Sequence, residues 1–463
     1  MALGHRREHA PPLDVLSRDG RPFREQSDMW LQGVLVGLAI GAFVLIAIED
    51  VIHLNKAKTT LLLGTFSWLL LFIFGPGALG VDDVGESLNE NLLEIATLWL
   101  FLMAAMTFVA FLNAKGLIAN LIYRLLPGRI GERGLLYLTG TFAFAFSSLA
   151  DNITATLVSL TLVLSLGLPP KKTLRFAVLA VFAVNSGGVA LITGDVTTLM
   201  IFLADKVRIS ELMLLAIPAF VSVMLLATLL LPGLGGEVHL SRERRPTRRL
   251  DRFVAWLFLA TILSTLGLNV LFGIPPLLTF LFGMSIMFLL GHVAERRSDS
   301  EERRILDYIR IIEFDTLLFF LGILLMVGAL KEARLLEGLA QLYDVMPAMQ
   351  ANYLIGLLSA LVDNVPLTAA VLKADVGMND AEWLALTYAA GVGGSLLIIG
   401  SAAGVIALSK VREVTFMSYL RFFPALLLAY SVGYVGAYWL GGQVTDTPMD
   451  LGVALTSLGS LLR

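Results

Sequence analysis

Long apolar runs alternate with short charged stretches along the whole chain. A helix needs roughly 20 mostly apolar residues to cross a bilayer. Such runs fall at 30–48, 58–75 and 92–112, followed by a shorter stretch, 116–127, that suits the membrane interface. Two marginal arms, 134–150 and 152–167, meet at Ser148-Leu149-Ala150-Asp151-Asn152, and runs at 172–193 and 211–233 close a first half. The order then recurs: 253–271, 275–293, 314–330, a short piece near 335–347, arms at 352–362 and 365–373, and runs at 383–400 and 415–440. This pattern predicts an all-α polytopic membrane protein.

Composition agrees. The 463 residues are 57% hydrophobic and 15% charged, against about 45–50% and about 25% in soluble domains. The net charge of −3 gives no basic excess for nucleic acid. The absence of cysteine excludes disulfides, thiolate metal sites and a cysteine nucleophile. The histidines are scattered, and His53 and His292 read as residues at span ends. No hydrolase constellation is visible, so neither an enzyme nor a bound cofactor is expected.

Residues 1–28 are polar and arginine-rich, without the apolar core of a signal peptide. Two more arginine-rich loops, 241–252 and 296–310, are separated by two spans and so share a side. The positive-inside rule makes that side the cytoplasm. Counting back puts Arg129, Arg133, Lys171, Lys172 and Arg175 inside. The acidic loop Asp82, Asp83, Glu86 and Glu90 falls outside, and so does the N-terminus.

An internal repeat carries the functional signal. Phe146-Ser147-Ser148-Leu149-Ala150-Asp151-Asn152-Ile153 matches Leu358-Ser359-Ala360-Leu361-Val362-Asp363-Asn364-Val365. After each copy a glycine pair precedes a third glycine at the same spacing: Gly187-Gly188 before Gly194, and Gly393-Gly394 before Gly400. By the topology count the two halves enter the membrane from opposite sides. This is the inverted repeat of many secondary transporters. The expected fold is two inverted-topology repeats of about five transmembrane helices each, every repeat holding one re-entrant hairpin and one broken helix. Its parts are a polar N-terminal segment (1–28), a first repeat (29–235, hairpin about 134–167), a cytoplasmic Arg-rich linker (236–252), a second repeat (253–440, hairpin about 352–373) and a tail (441–463).

The Asp-Asn pairs interrupt apolar stretches. A charge at the bilayer centre costs roughly 2.5–3.5 kcal/mol on insertion scales, so two at matched positions need a reason. Irregular backbone at that depth is tolerated only inside protein or along a wet cavity, and Pro366 cannot donate a helix hydrogen bond. Glycine clusters at 185–195 and 391–404 favour helix breaks, whose free carbonyls coordinate cations. Hard cations want oxygen ligands, and Asp151, Asn152, Thr154, Asp363, Asn364, Ser395 and Ser401 bear them. Blander readings stand beside this one. The aspartates are also good caps for short turns, and the glycines also suit close helix packing. Asp195 reads equally as an interfacial cap. Glu94 reads as the outer end of its span, and Lys373 as a side chain snorkelling to the surface.

Four stretches resemble NhaD-type sodium/proton antiporters of the ion transporter superfamily: Leu149-Ala150-Asp151-Asn152-Ile153-Thr154, Thr193-Gly194-Asp195-Val196-Thr197-Thr198, Val362-Asp363-Asn364-Val365-Pro366-Leu367 and the segment from Gly393 to Gly404. The resemblance runs from about 88 to 440. It implies two re-entrant hairpins, a dimerising scaffold, a mobile elevator-type transport domain and a place in the cell inner (plasma) membrane. Carried onto this chain, it implies an ion- and proton-coupled site of Asp151, Asn152, Thr154, Asp363, Asn364, Ser186, Gly187, Asp195, Thr198, Gly394, Ser395 and Ser401. Na⁺, and with it Li⁺, would sit at Asp151, Asn152, Asp363 and Asn364. Acids common in the family's third span are replaced here by Thr97 and Ala110, while Glu94 remains.

Two carboxylates in one site titrate as a coupled unit, so Na⁺ and H⁺ would compete for the same oxygens. The expected function is Na⁺/H⁺ exchange serving pH homeostasis, with the lipid bilayer, the ions and a second copy of the chain as partners. The alternative is a Na⁺-coupled symporter or permease of a small anion, of dicarboxylate or arsenite type.

Overall fold

The computed structural model describes residues 23–47, 55–78, 84–118, 120, 129–239, 246–295, 305–310, 312 and 314–444. Arg242, Arg244, Arg245, Arg296, Arg297, Arg303, Arg304, His53, Asp82, Asp83, residues 1–22 and the tail beyond Val444 lie outside the described residues.

The first half comprises α1 (Phe23–Ala47), α2 (Lys56–Ala78), α3 (Val84–Ala114), α4 (Glu132–Leu149), α5 (Asn152–Ser165), α6 (Pro170–Gly188), α7 (Val196–Leu203) and α8 (Ile209–Leu229). The second comprises α9 (Arg249–Phe272), α10 (Pro276–Glu295), α11 (Phe314–Glu332), α12 (Glu337–Val345), α13 (Ala348–Ser359), α14 (Asn364–Lys373), α15 (Asp380–Gly393), α16 (Ala402–Lys410), α17 (Phe416–Leu420) and α18 (Phe423–Val444). Among the described residues six helices (α2, α3, α8, α9, α11 and α18) are long and apolar enough to cross a membrane. Their outward faces are apolar, with Leu62 and Ile73 on α2, Ile217 on α8 and Trp256 and Leu271 on α9 exposed. Apolar faces of this extent suit lipid rather than water. The chain is an α-helical, multi-pass membrane protein.

The all-α expectation holds apart from one short ribbon outside the helices, where β1 (Arg129–Gly131) pairs antiparallel with β2 (Glu237–His239), Ile130 opposite Val238. Buried Glu132 holds this ribbon, accepting from Gly235 N (2.9 Å), Gly236 N (3.0 Å) and Lys172 Nζ (2.6 Å). Burial pushes its carboxyl up, but those three donors outweigh burial and hold it below the usual carboxylate range. One expectation needs correction: α3 starts at Val84, so Glu86 and Glu90 ride on a helix rather than in a loop. Glu86 sits in the first turn, where the helix dipole favours an anion. Helix α1 begins at Phe23, the short strand β2 spans Glu237–His239, and α9 starts at Arg249.

Packing sorts the helices into two groups. One holds α1, α2, α3, α9, α10 and α11, with α2 lying along α11. The other holds α4–α8 and α12–α18, and its main contact with the first is α14 against α11. Within the second group the halves of the chain interlock: α5 packs on α16, and α14 packs on α7.

Candidate ion-binding site

The two Asp-Asn motifs fold alike. Helix α4 ends at Leu149, Ala150 is extended, and Asp151 caps α5, accepting from Thr154 N (2.9 Å) and Thr154 Oγ1 (2.8 Å). Helix α13 ends at Ser359, and Asp363 caps α14, accepting from Val365 N at 3.4 Å. Pro366 stands in the first turn of α14, where a helix has no donor to place. Cap and site are therefore not alternatives, since both aspartates are N-caps that also face a cavity.

The glycine-rich segments break as the sequence suggests. Helix α6 stops at Gly188 and restarts as α7, capped by Asp195, while α15 stops at Gly393 and restarts as α16, capped by Ser401. Gly187 and Gly393 occupy equivalent contacts. A Cβ on Gly187 would overlap the carbonyl of Phe144, and one on Gly393 the carbonyl of Gly356. Only glycine lets each of these helices pass so close to its neighbour's backbone.

Four helix starts converge on one cavity of about 90 Å³. Asp151, Asn152, Asp195, Asp363, Asn364 and Ser401 line it. Cross-motif bonds knit the halves together: Asn364 Nδ2 donates to Asp195 Oδ2 (3.0 Å) and Asn185 Nδ2 to Ser401 Oγ (2.9 Å). Asn152 Oδ1 accepts from Ser147 Oγ at 2.9 Å. Asn185 Oδ1, Ser186 Oγ and Thr197 Oγ1 are buried without a hydrogen-bond partner among the described residues. The carboxylate, carboxamide and hydroxyl oxygens of the lining residues are of the kind hard cations prefer.

Other sequence candidates sit behind the wall rather than in it. Thr154 braces Asp151, and Thr198 Oγ1 bonds Gly188 O at 3.4 Å. Ser395 bonds Val392 O (2.6 Å), and its own carbonyl accepts from Tyr419 OH at 2.5 Å. Gly187 and Gly394 make backbone contacts near the breaks. Asp195, which caps α7, is buried and lines the cavity.

Lys56 also lines the cavity, its Nζ 3.5 Å from Asp363 Oδ2. A lysine opening an apolar run reads in sequence as an interface anchor, and no local signal ties it to a motif 300 residues away. Lys373 does not snorkel free, because it pairs with Glu94 of α3. That pair borders a larger cavity of about 350 Å³ lined mostly by apolar side chains and by none of the three aspartates. His292 is exposed.

Residues 36–391 match the family model described as citrate transporter. The Na⁺/H⁺ antiporter NhaD of Vibrio cholerae serotype O1 is 32% identical over 428 residues, 85% of this chain and 88% of the relative. That of Alkalimonas amylolytica is 30% identical over 448 residues, 89% and 91% of the two chains. Sodium/proton antiporter 1 of Arabidopsis thaliana is 30% identical over 434 residues, 88% of this chain and 72% of the relative. Identity at this level along most of both chains, with the paired Asp-Asn caps and broken helices around one cavity, makes the chain a member of the NhaD-type antiporter family.

Proposed function

We propose that the chain is a secondary transporter exchanging Na⁺, and also Li⁺, for H⁺ across the cell inner membrane. The observation that carries this reading is the convergence of Asp151, Asp195 and Asp363 on one small oxygen-lined cavity. A water occupies about 30 Å³ of liquid, so about 90 Å³ holds a partly hydrated monovalent ion. Drug-sized ligands take roughly 300–1,000 Å³. Three carboxylates against one ammonium also oppose a polyanion, so the family model's citrate name alone does not carry over to the substrate.

In this reading the halves of the chain are inverted repeats, and α4–α5 and α13–α14 are re-entrant hairpins whose tips meet at mid-membrane. Na⁺ and H⁺ compete for the same carboxylates, and the loaded site opens to each face in turn. The α4–α8 and α12–α18 group is the moving body. The α1–α3 and α9–α11 group is the scaffold, which forms a homodimer.

The test is purified protein in liposomes carrying an internal pH dye and an imposed pH gradient, challenged with NaCl, LiCl, KCl, succinate or citrate. Na⁺ or Li⁺ should collapse the gradient, and Asp151→Asn and Asp363→Asn should each abolish the response while leaving the protein monodisperse. Wild-type exchange in either variant sinks the site. Anion uptake that needs Na⁺, with no proton movement, replaces the exchanger with a symporter.

A further inference from the structure

The three cavity carboxylates differ in what balances them. Asp151 accepts from the backbone and hydroxyl of its own helix, and Asp195 from the Asn364 carboxamide. Asp363 has one long backbone bond, at 3.4 Å, and the ammonium of Lys56 at 3.5 Å. Among the described residues no lysine or arginine forms an ion pair with Asp151 or Asp195.

Lys56 is held at this station from the other helix group. Asn55 caps α2, its Oδ1 accepting from Ala57 N at 2.8 Å, and its Nδ2 donates to Asp315 Oδ2 of α11 at 2.6 Å. The ammonium then lies 4.7 Å from the ring centroid of Phe319, also on α11. A cation over an aromatic face is attracted by the ring quadrupole. The tether and the ring thus aim a fixed positive charge at the carboxylate that the transported ion needs.

We propose that Lys56 is a tethered counter-cation: its ammonium occupies Asp363 in the unloaded site, the arriving ion must displace it, and Lys56 thereby sets cation affinity. The inference rests on the exchanger reading above. It follows that the unloaded carrier keeps a balanced charge at Asp363, and that loading frees the tip of α14 from α2. The far end of α14 is tied to the same helix group by Lys373 and Glu94, so release at the Asp363 end leaves α14 anchored at its other end.

The test compares reconstituted wild type, Lys56→Gln, Lys56→Arg and Phe319→Leu by initial rates across a Na⁺ titration at one pH. Lys56→Gln should lower the apparent KM for Na⁺ by about three- to tenfold, the range set by a partly shielded ion pair. It should also lower kcat, because ion release slows and the empty site carries an unbalanced carboxylate. Lys56→Arg keeps the charge and should keep KM within about twofold of wild type. Phe319→Leu removes the ring but not the charge, and should lower KM in the same direction by less. It serves as the second probe if Lys56→Gln is not monodisperse. An unchanged or raised KM in both Lys56→Gln and Phe319→Leu, with exchange intact, overturns the role of Lys56 and leaves the exchanger standing. No cation-driven proton movement in wild type overturns both.

Discussion

Asp195→Asn separates a helix cap from an ion ligand. In the wild type Oδ1 accepts from Thr197 N at 3.4 Å, and Oδ2 accepts from Asn364 Nδ2 at 3.0 Å. A carboxamide has one acceptor oxygen. The variant can therefore satisfy one of these donors and must turn its own NH₂ toward the other. Losing one bond at a buried site costs about 1–3 kcal/mol. Asn caps helices about as well as Asp, so α7 should still start where it does. The fold should survive with a Tm lowered by a few degrees. The loss to the ion is larger. A unit charge about 4 Å from a bound cation contributes roughly 4 kcal/mol at an effective dielectric constant of 20, or about 10³ in affinity. The assay pairs Tm in detergent with a Na⁺ titration in liposomes. The expected outcome is a folded protein whose exchange does not saturate at accessible Na⁺. Exchange within about threefold of wild type at low Na⁺ would refute the ligand role and leave Asp195 a cap alone; that margin sits far inside the 10³ expected.

Two further predictions concern the frame around the site. Gly187→Ala and Gly393→Ala each drive a methyl into a neighbouring helix's carbonyl, so each should cost roughly 1–3 kcal/mol or more and cut the yield of monodisperse protein. Gly267→Ala meets nothing within 4 Å in the interior of α9. It should be neutral or stabilising by up to about 1 kcal/mol, and equal behaviour of all three variants would refute the close-approach argument. Glu132→Gln removes the charge that Lys172 and the two glycine N–H groups hold, and should destabilise by roughly 1–3 kcal/mol at neutral pH. Because the folded carboxyl titrates below its unfolded value, its contribution is present above the unfolded pKa and lost as pH falls through the folded one. The wild-type advantage over Glu132→Gln should hold from pH 7 to about 5 and shrink below about pH 4. A gap that widens on acidification refutes the sign.

The parts of the candidate site readable in sequence are those that local chemistry specifies. Asp151 and Asp363 announce themselves as charges inside apolar runs, and a doubled motif shows that neither is an accident. Gly187-Gly188 and Gly393-Gly394 signal breaks because glycine weakens a helix, and α6 and α15 end there. What stayed hidden depends on packing between distant segments. The Asn364–Asp195 bond spans 169 positions and the Asn185–Ser401 bond spans 216. Nothing local at Asn185 distinguishes it from any polar residue in a span. Lys56 and Lys373 each follow the pattern of an interface anchor, and only the docking of α14 against the first helix group gives them carboxylate partners. The ribbon at Glu237–His239 was hidden for the same reason, since strands of three residues leave no readable period.

The differing partners of the three aspartates bear on what can enter the site. A cation reaching Asp151 meets oxygens already oriented by Thr154 and disturbs only a cap. One reaching Asp195 competes with a neutral carboxamide from the other motif, so binding there loosens the bond that joins the halves. One reaching Asp363 replaces a like charge, and the carboxylate is never left unbalanced. A citrate or succinate anion would need the reverse arrangement, with donors turned inward and carboxylates held away. Here the N–H groups of Thr154, Thr197 and Val365 are already bound to the aspartate side chains. Helix N-termini can hold an anion when their N–H groups are free. In this cavity the protein's own carboxylates take that place at three helix ends, which is why the proposed occupant is a cation rather than an anion.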